Sequence, residues 1–186
     1  MKRVFLNDDA SIHSVLEGNQ ELISLNTPKD AKFVDDIKYI SSTDYFDSAT
    51  STFVSIGESP SQHHTFDYTT KQWVDPRSLD DIKAQKWAEI KSQRDQLEFG
   101  GFNFDGNIYD SDQVSQGRIM GAAAVAWVDQ TWTLANNTTV KLTVLQLKQL
   151  YRALQAHIAS VHERGRITRQ LILEAETKED VEAVQL

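Results

Sequence analysis

Apolar positions along the first part of the chain fall in short bursts separated by turn-forming residues. Arg3-Val-Phe-Leu6, Glu21-Leu-Ile-Ser-Leu25, Ala31-Lys-Phe-Val34, Ile37-Lys-Tyr-Ile40 and Thr52-Phe-Val-Ser-Ile56 are each bounded by Asn, Asp, Gly, Pro or Ser. Short β-branched and aromatic runs with such boundaries predict strands. Asp8 to Glu17 is read as a turn or two of helix. Glu58 to His64 reads as a polar connector, with Pro60 holding Ser59 away from helix. A strand at Thr65–Tyr68, a turn at Thr69–Gln72 and Trp73-Val74 complete this part.

From Ser78 the spacing of apolar residues changes. Ile82, Trp87, Ile90 and Leu97 share a helical face, Ser78 is a good N-cap, and Asp80 and Asp81 sit where the helix dipole favours acid. Gly100-Gly101 stops this helix. Asp105-Gly106 predicts a tight hairpin, since both central positions of a type I′ turn need positive φ. A second helix is expected from Asp110 or Ser111 as cap, with Gln113 as capping-box partner, to about Gln130. A second hairpin follows, with Trp132 and Leu134 on one arm, Val140 and Leu142 on the other, and Asn136-Asn137 at its turn. Thr143 with Gln146 caps a long third helix whose apolar residues run from Leu147 to Val161 at steps of three and four. Gly165 is expected to kink it, and Thr177 to Asp180 to cap a last short helix.

The predicted fold class is therefore α+β: a β-rich N-terminal unit over residues 1–60, a connector with short strands over 61–77, and a helical module over 78–186. The module has three main helices and hairpins near 101–110 and 131–142. The sequence pattern shows no convincing internal repeat.

Composition narrows the chemistry. The chain has 186 residues, 40% hydrophobic and 25% charged, which is globular rather than disordered. It contains no cysteine, which removes disulfides, thiolate nucleophiles and Cys-ligated zinc and suits a reducing cytoplasm. The longest apolar stretch, Gly121 to Val128, falls far short of the ~20 residues of a spanning helix, so no membrane insertion is expected. A net charge of −8 gives no basic field for phosphate backbones, so no nucleic-acid partner is expected.

No residue pattern points to catalysis, a metal or a cofactor. His63-His64 reads as a solvated linker pair, since adjacent strand side chains point oppositely. His157 and His162 are read as packing or surface residues. Asp105, Asp110 and Asp112 lack the calcium-hand spacing and are explained by turns and caps. Neither a phosphate loop nor a Gly-x-Ser-x-Gly elbow occurs. The four tryptophans, Trp73, Trp87, Trp127 and Trp132, are read as core. The residues expected to form a protein-contact surface are Phe102, Phe104, Tyr109 and Trp132, with Arg164, Arg166 and Arg169 as a charged helical face.

Several stretches carry a family resemblance when taken in order. They are Phe66 to Asp75, Lys86 to Asp95, Gly100 to Gly106, Asp110-Ser-Asp112, Arg118 to Ala122, Trp132 to Asn136, and His157 in the long helix. From about Phe66 to the C-terminus the chain resembles an uncharacterised domain family of tailed-bacteriophage tail and tail-fibre-associated proteins. The resemblance implies a context: a non-enzymatic structural protein of the virion tail, made in the host bacterial cytoplasm. It would act through contacts with other tail or fibre proteins. A homo-oligomer is also implied, a trimer by analogy with fibres. The resemblance supplies no catalytic residues. Two alternatives stand beside this reading: an assembly chaperone that binds the fibre and is absent from the particle, and a module that binds a host surface receptor.

Overall fold

Strand β1 (Lys2–Leu6) forms the middle of an antiparallel sheet in the computed structural model, which describes residues 1–35, 41 and 43–186. Its neighbours are β2 (Ile12–Glu17) and β3 (Lys32–Asp35). The central strand is the buried one, with Val4 fully enclosed, while both edge strands are largely exposed. Two expectations are corrected in this region. Ile12–Glu17 is a strand and not helix, because its pairing with β1 sets Val15 opposite Val4. Glu21–Leu25 belongs to a helix, α1 (Gln20–Leu25), and not to a strand. The Asn19 side chain accepts the backbone N–H of Leu22 and so caps α1, and Ile23 alone points inward. The strand expected at Ile37–Ile40 lies outside the described residues.

Arg3 ties this sheet together from a buried position. Its guanidinium donates to both carboxylate oxygens of Asp35 at 2.7 Å and to Thr27 Oγ1 at 2.9 Å. Its flat face lies 3.8 Å from the centre of the Phe33 ring. A bidentate fork stacked on an aromatic ring is a role that lysine could not fill.

The next two hairpins are copies of each other, a repeat that the sequence pattern alone had not revealed. β4 (Tyr45–Asp47) pairs with β5 (Thr52–Val54), and β6 (Thr65–Asp67) pairs with β7 (Gln72–Val74). Laying Tyr45–Val54 on Thr65–Val74 matches Phe46 with Phe66, Asp47 with Asp67, Thr50 with Thr70 and Val54 with Val74. The matched residues do the same work. Asp47 accepts the N–H of Ala49 and the hydroxyl of Thr50, and Asp67 accepts the N–H of Thr69 and the hydroxyl of Thr70. Ser51 and Lys71 then take the left-handed conformation at φ 54° and 60°. Each hairpin carries one cross-strand aromatic pair, Phe46 with Phe53 and Phe66 with Trp73, at 5.4 and 5.5 Å between centroids. Tyr45 stacks on Phe66 and joins the copies. Only four of the ten aligned positions are identical, which is why the repeat is faint in the sequence.

The described chain divides into two units, Met1–Arg77 and Ser78–Leu186. The second begins with α2 (Leu79–Phe99), where Ser78 and Asp81 form a reciprocal capping box. Gly101, at φ 96°, lets the chain leave the helix, and a Cβ there would lie 3.0 Å from the Tyr109 carbonyl oxygen. β8 (Phe102–Phe104) and β9 (Asn107–Tyr109) form the first hairpin, with Asp105 and Gly106 at φ 51° and 76° as a type I′ turn requires.

α3 (Gln113–Val125) is capped by Asp112, not by Asp110 or Ser111, and it ends five residues short of Gln130. Its inward face, Ile119 with Ala122, Ala123 and Ala126, is exhausted there, and Ala126 is already extended. β10 (Gln130–Thr133) and β11 (Thr139–Leu142) form the second hairpin, with Asn137 at φ 64°. The reciprocal Thr143–Gln146 box opens α4 (Val144–Glu174), and Thr177 caps α5 (Lys178–Ala183). At Gly165, where a kink was expected, the helical hydrogen bonding is not interrupted. α4 runs unbroken through it, and the missing side chain makes room for Arg94 of α2, whose Cδ would lie 3.3 Å from a Cβ.

Two apolar clusters hold this unit. One gathers Phe102, Tyr109, Ile119, Leu134, Leu142, Leu147, Leu150 and Leu154 from both hairpins, α3 and the first half of α4. The other gathers Ile82, Ile90, Ile172 and Val181 from α2, the end of α4 and α5. Full burial of each such side chain contributes roughly 1.5–3 kcal/mol. The fold is α+β, with antiparallel strands first and then helices with small inserted hairpins.

Candidate protein-contact surface

The aromatic residues of the two hairpins were expected to face outward, and two of them do not. Tyr109 is fully enclosed and Phe102 nearly so, because β8 and β9 lie on α4 with this face inward. Phe102 stacks on His157 of α4 at 5.8 Å, and Phe104 meets the Tyr109 ring edge-on at 5.9 Å. Phe104 and Trp132 are half-buried against the same cluster. Phe102 and Tyr109 are therefore core residues and are withdrawn from the contact surface.

The three arginines are exposed but engaged within the chain. Arg164 donates to the Leu186 carbonyl oxygen at 3.0 Å, Arg166 pairs with Glu163, and Arg169 lies 5.4 Å over the Trp87 ring. Arg164 and Arg169 thus tie α4 to the chain end and to α2, while the Arg166 pair lies within α4.

Four of the five histidines meet a partner within the chain. His157 Nε2 lies 2.9 Å from the Leu97 carbonyl oxygen and His162 Nε2 lies 3.0 Å from Glu98 Oε2, so both join α4 to the end of α2. His64 meets Ser61, and His63 meets Gln62. Asp112 is held below the usual carboxylate range, chiefly by the Ser115 hydroxyl and then by backbone N–H groups of α3. The Ser78 hydroxyl does the same for Asp81. Such shifts come from caps and turns. Among the described residues no three His or carboxylate side chains converge on one point.

Ser111 is buried and organises the junction before α3. Its hydroxyl accepts the Gly101 N–H at 2.8 Å and donates to the Glu98 carbonyl, while its own carbonyl accepts from Gln116 Nε2 at 2.9 Å. Tyr109 beside it is the opposite case. Among the described residues its buried hydroxyl has no hydrogen-bond partner, and burial pushes its pKa up.

What the outer surface of this unit does present is apolar. On and just after α3, Val114, Met120, Val125, Trp127 and Val128 are all more than half exposed, and Trp127 is 90% exposed. The assignment of all four tryptophans to the core is thus corrected for Trp127. The other three are half-buried, and Trp73 Nε1 donates to the Ile56 carbonyl oxygen at 2.9 Å. Met120 and Trp127 were missed because the apolar run from Ile119 to Val128 does not by itself show which side turns inward. The inward face is Ile119 and Ala123, so Met120 points away from it.

Between α3 and α4 runs a depression of about 390 Å³ lined by Met120, Ala123, Ala124, Lys148, Tyr151 and Arg152. A second, of about 270 Å³, adjoins it and shares Met120 and Tyr151. In the first unit a shallow hollow of about 600 Å³ lies between β1 and the segment from Asn26 to Lys32. Its charged rim is partly neutralised, since Lys32 pairs with Asp8 at 2.8 Å.

A family model described as a domain of unknown function (DUF4376) matches residues 81–185. No curated protein and no solved structure matches the chain.

Proposed function

The chain belongs to the DUF4376 family, whose function is not known, and we propose that this member is a non-enzymatic structural protein of a bacteriophage tail or tail fibre. It acts through protein–protein contacts. The observation that carries the contact reading is the set of large apolar side chains held outward on and after α3, from Val114 to Val128. Exposed apolar side chains grouped on one element mark interaction surfaces more often than scattered ones do. The tail context rests on the likeness of the stretches from Phe66 onward to tail-fibre-associated proteins. The receptor-binding alternative is not carried further. It depended on four exposed hairpin aromatics, of which Phe102 and Tyr109 are enclosed and the others half-buried.

Mass spectrometry of purified particles tests the reading, with copy number measured against the major tail protein. Presence at a fixed stoichiometry is the expected result. Absence from particles, with the protein bound to free fibres in infected lysate, would replace it with an assembly chaperone.

A further inference from the structure

We infer that the groove between α3 and α4 is a docking site for an acidic amphipathic helix of a partner protein. The inference rests on the reading above, that the chain works through protein contacts, and adds where and with what chemistry.

The shape of the groove is the first argument. The two depressions lie side by side along α3 and α4 and share Met120 and Tyr151 in their linings. Met120, more than half exposed, is available as an apolar contact within both. On the α3 side Gly117 lines the second depression, and nothing lies within 4 Å of where its Cβ would stand. A channel between two packed helices accepts the side-chain ridge of a third, and an amphipathic helix meets such a channel with apolar anchors one turn apart.

Charge selects the occupant. From Gln113 to His162 the chain carries Arg118, Lys141, Lys148 and Arg152 against Asp129 alone, although its net charge is −8. Lys148 and Arg152 line the channel, both are exposed, and neither meets a carboxylate among the described residues. Elsewhere in this unit Lys86, Arg94 and Arg166 pair with Glu89, Asp95 and Glu163, while Lys83 and Arg164 donate to carbonyl oxygens and Arg169 lies over Trp87. An acidic helix would supply the counter-charges missing here, with its apolar side on Met120 and Tyr151. Electrostatic complementarity of this kind sets partner choice and association rate. A second copy seated by the same face would instead bring two sets of Lys148 and Arg152 into one interface, where like charges oppose binding.

The test uses the full chain and two synthetic amphipathic helical peptides with identical leucine faces. One has a glutamate polar face and the other a lysine polar face. Binding is read by anisotropy of a label on the peptide at low and high salt. The glutamate peptide is expected to bind on the order of ten-fold more tightly than the lysine peptide, and to weaken as salt rises. Lys148→Glu with Arg152→Glu should reverse that preference, and Met120→Asp should abolish binding of both peptides. All three positions are exposed, so the variants should melt like the parent. Equal binding of the two peptides, or a preference untouched by the charge reversal, would overturn the inference. So would a homo-oligomer in sedimentation that Met120→Asp dissociates, which would assign the groove to a second copy. Failure here with the protein present in particles leaves the tail reading standing. Success here with the protein absent from particles removes the tail reading and keeps the groove.

Discussion

Tyr109 and Ser111 stand two residues apart, both fully buried and both carrying a hydroxyl, yet their removal should have opposite effects. The Ser111 hydroxyl bridges the Gly101 N–H and the Glu98 carbonyl at the end of α2. Ser111→Ala leaves both part-buried groups without this partner, at a cost of about 1–2 kcal/mol. The Tyr109 hydroxyl meets no partner among the described residues, so Tyr109→Phe deletes an uncompensated polar group and keeps the ring contacts with Phe102 and Phe104. It is expected to be neutral or stabilising by up to about 1 kcal/mol. Urea melts of the two variants beside the parent check the pair. A destabilised Tyr109→Phe would mean that the hydroxyl has a partner after all.

At the scale of elements, short side-chain rules decide where helices begin. Thr143 and Gln146 exchange side-chain and backbone hydrogen bonds at the start of α4. Thr143→Ala should therefore lower stability by about 1 kcal/mol, read as a shift in the denaturant midpoint at unchanged slope. These caps, the Asp105-Gly106 turn and the stop at Gly100-Gly101 were legible in the sequence because each is a local chemical requirement with few solutions. Less was legible where tertiary contacts choose between local options. Glu21–Leu25 is too short for its apolar spacing to separate strand from helix, and the Asn19 cap was the decisive signal. Ile12–Glu17 is a strand because β1 is there to pair with it. The candidate surface was the least legible part. An aromatic hairpin looks the same in sequence whether it faces solvent or lies on α4, as Phe102 and Tyr109 do. A charge count over the stretch from Gln113 to His162 would have flagged Lys148 and Arg152, but only the packing of α3 on α4 puts them beside Met120.

For the whole molecule, acid sensitivity follows from one recurring device. Asp9, Asp35, Asp47, Asp67, Asp81 and Asp112 are each held below the ordinary carboxylate value. The leading cause in each is a side-chain hydrogen bond, from Ser11, Arg3, Thr50, Thr70, Ser78 and Ser115 respectively. A carboxylate whose pKa is lower in the folded state binds fewer protons there than in the unfolded chain. Its contribution is complete above the unfolded value, about 3.9, and is lost as pH falls through the folded value. Thermal stability should therefore hold between about pH 7 and 5 and fall steadily below about pH 4. A series of melts by circular dichroism checks this. A molecule whose melting temperature rose on acidification through that lower range would contradict it. The affected groups lie in both units, so acid should weaken the twin hairpins and the helix caps together.

The twin hairpins also bear on how such a chain can change over generations. Each copy closes its own hydrogen bonds as a separate two-stranded ribbon, and each carries its own aspartate-centred turn. A genetic crossover between the two copies would delete or add one whole ribbon without splitting a strand pair. Offspring chains could then differ in reach by discrete steps, with the sheet before the ribbons and the helices after them untouched in sequence.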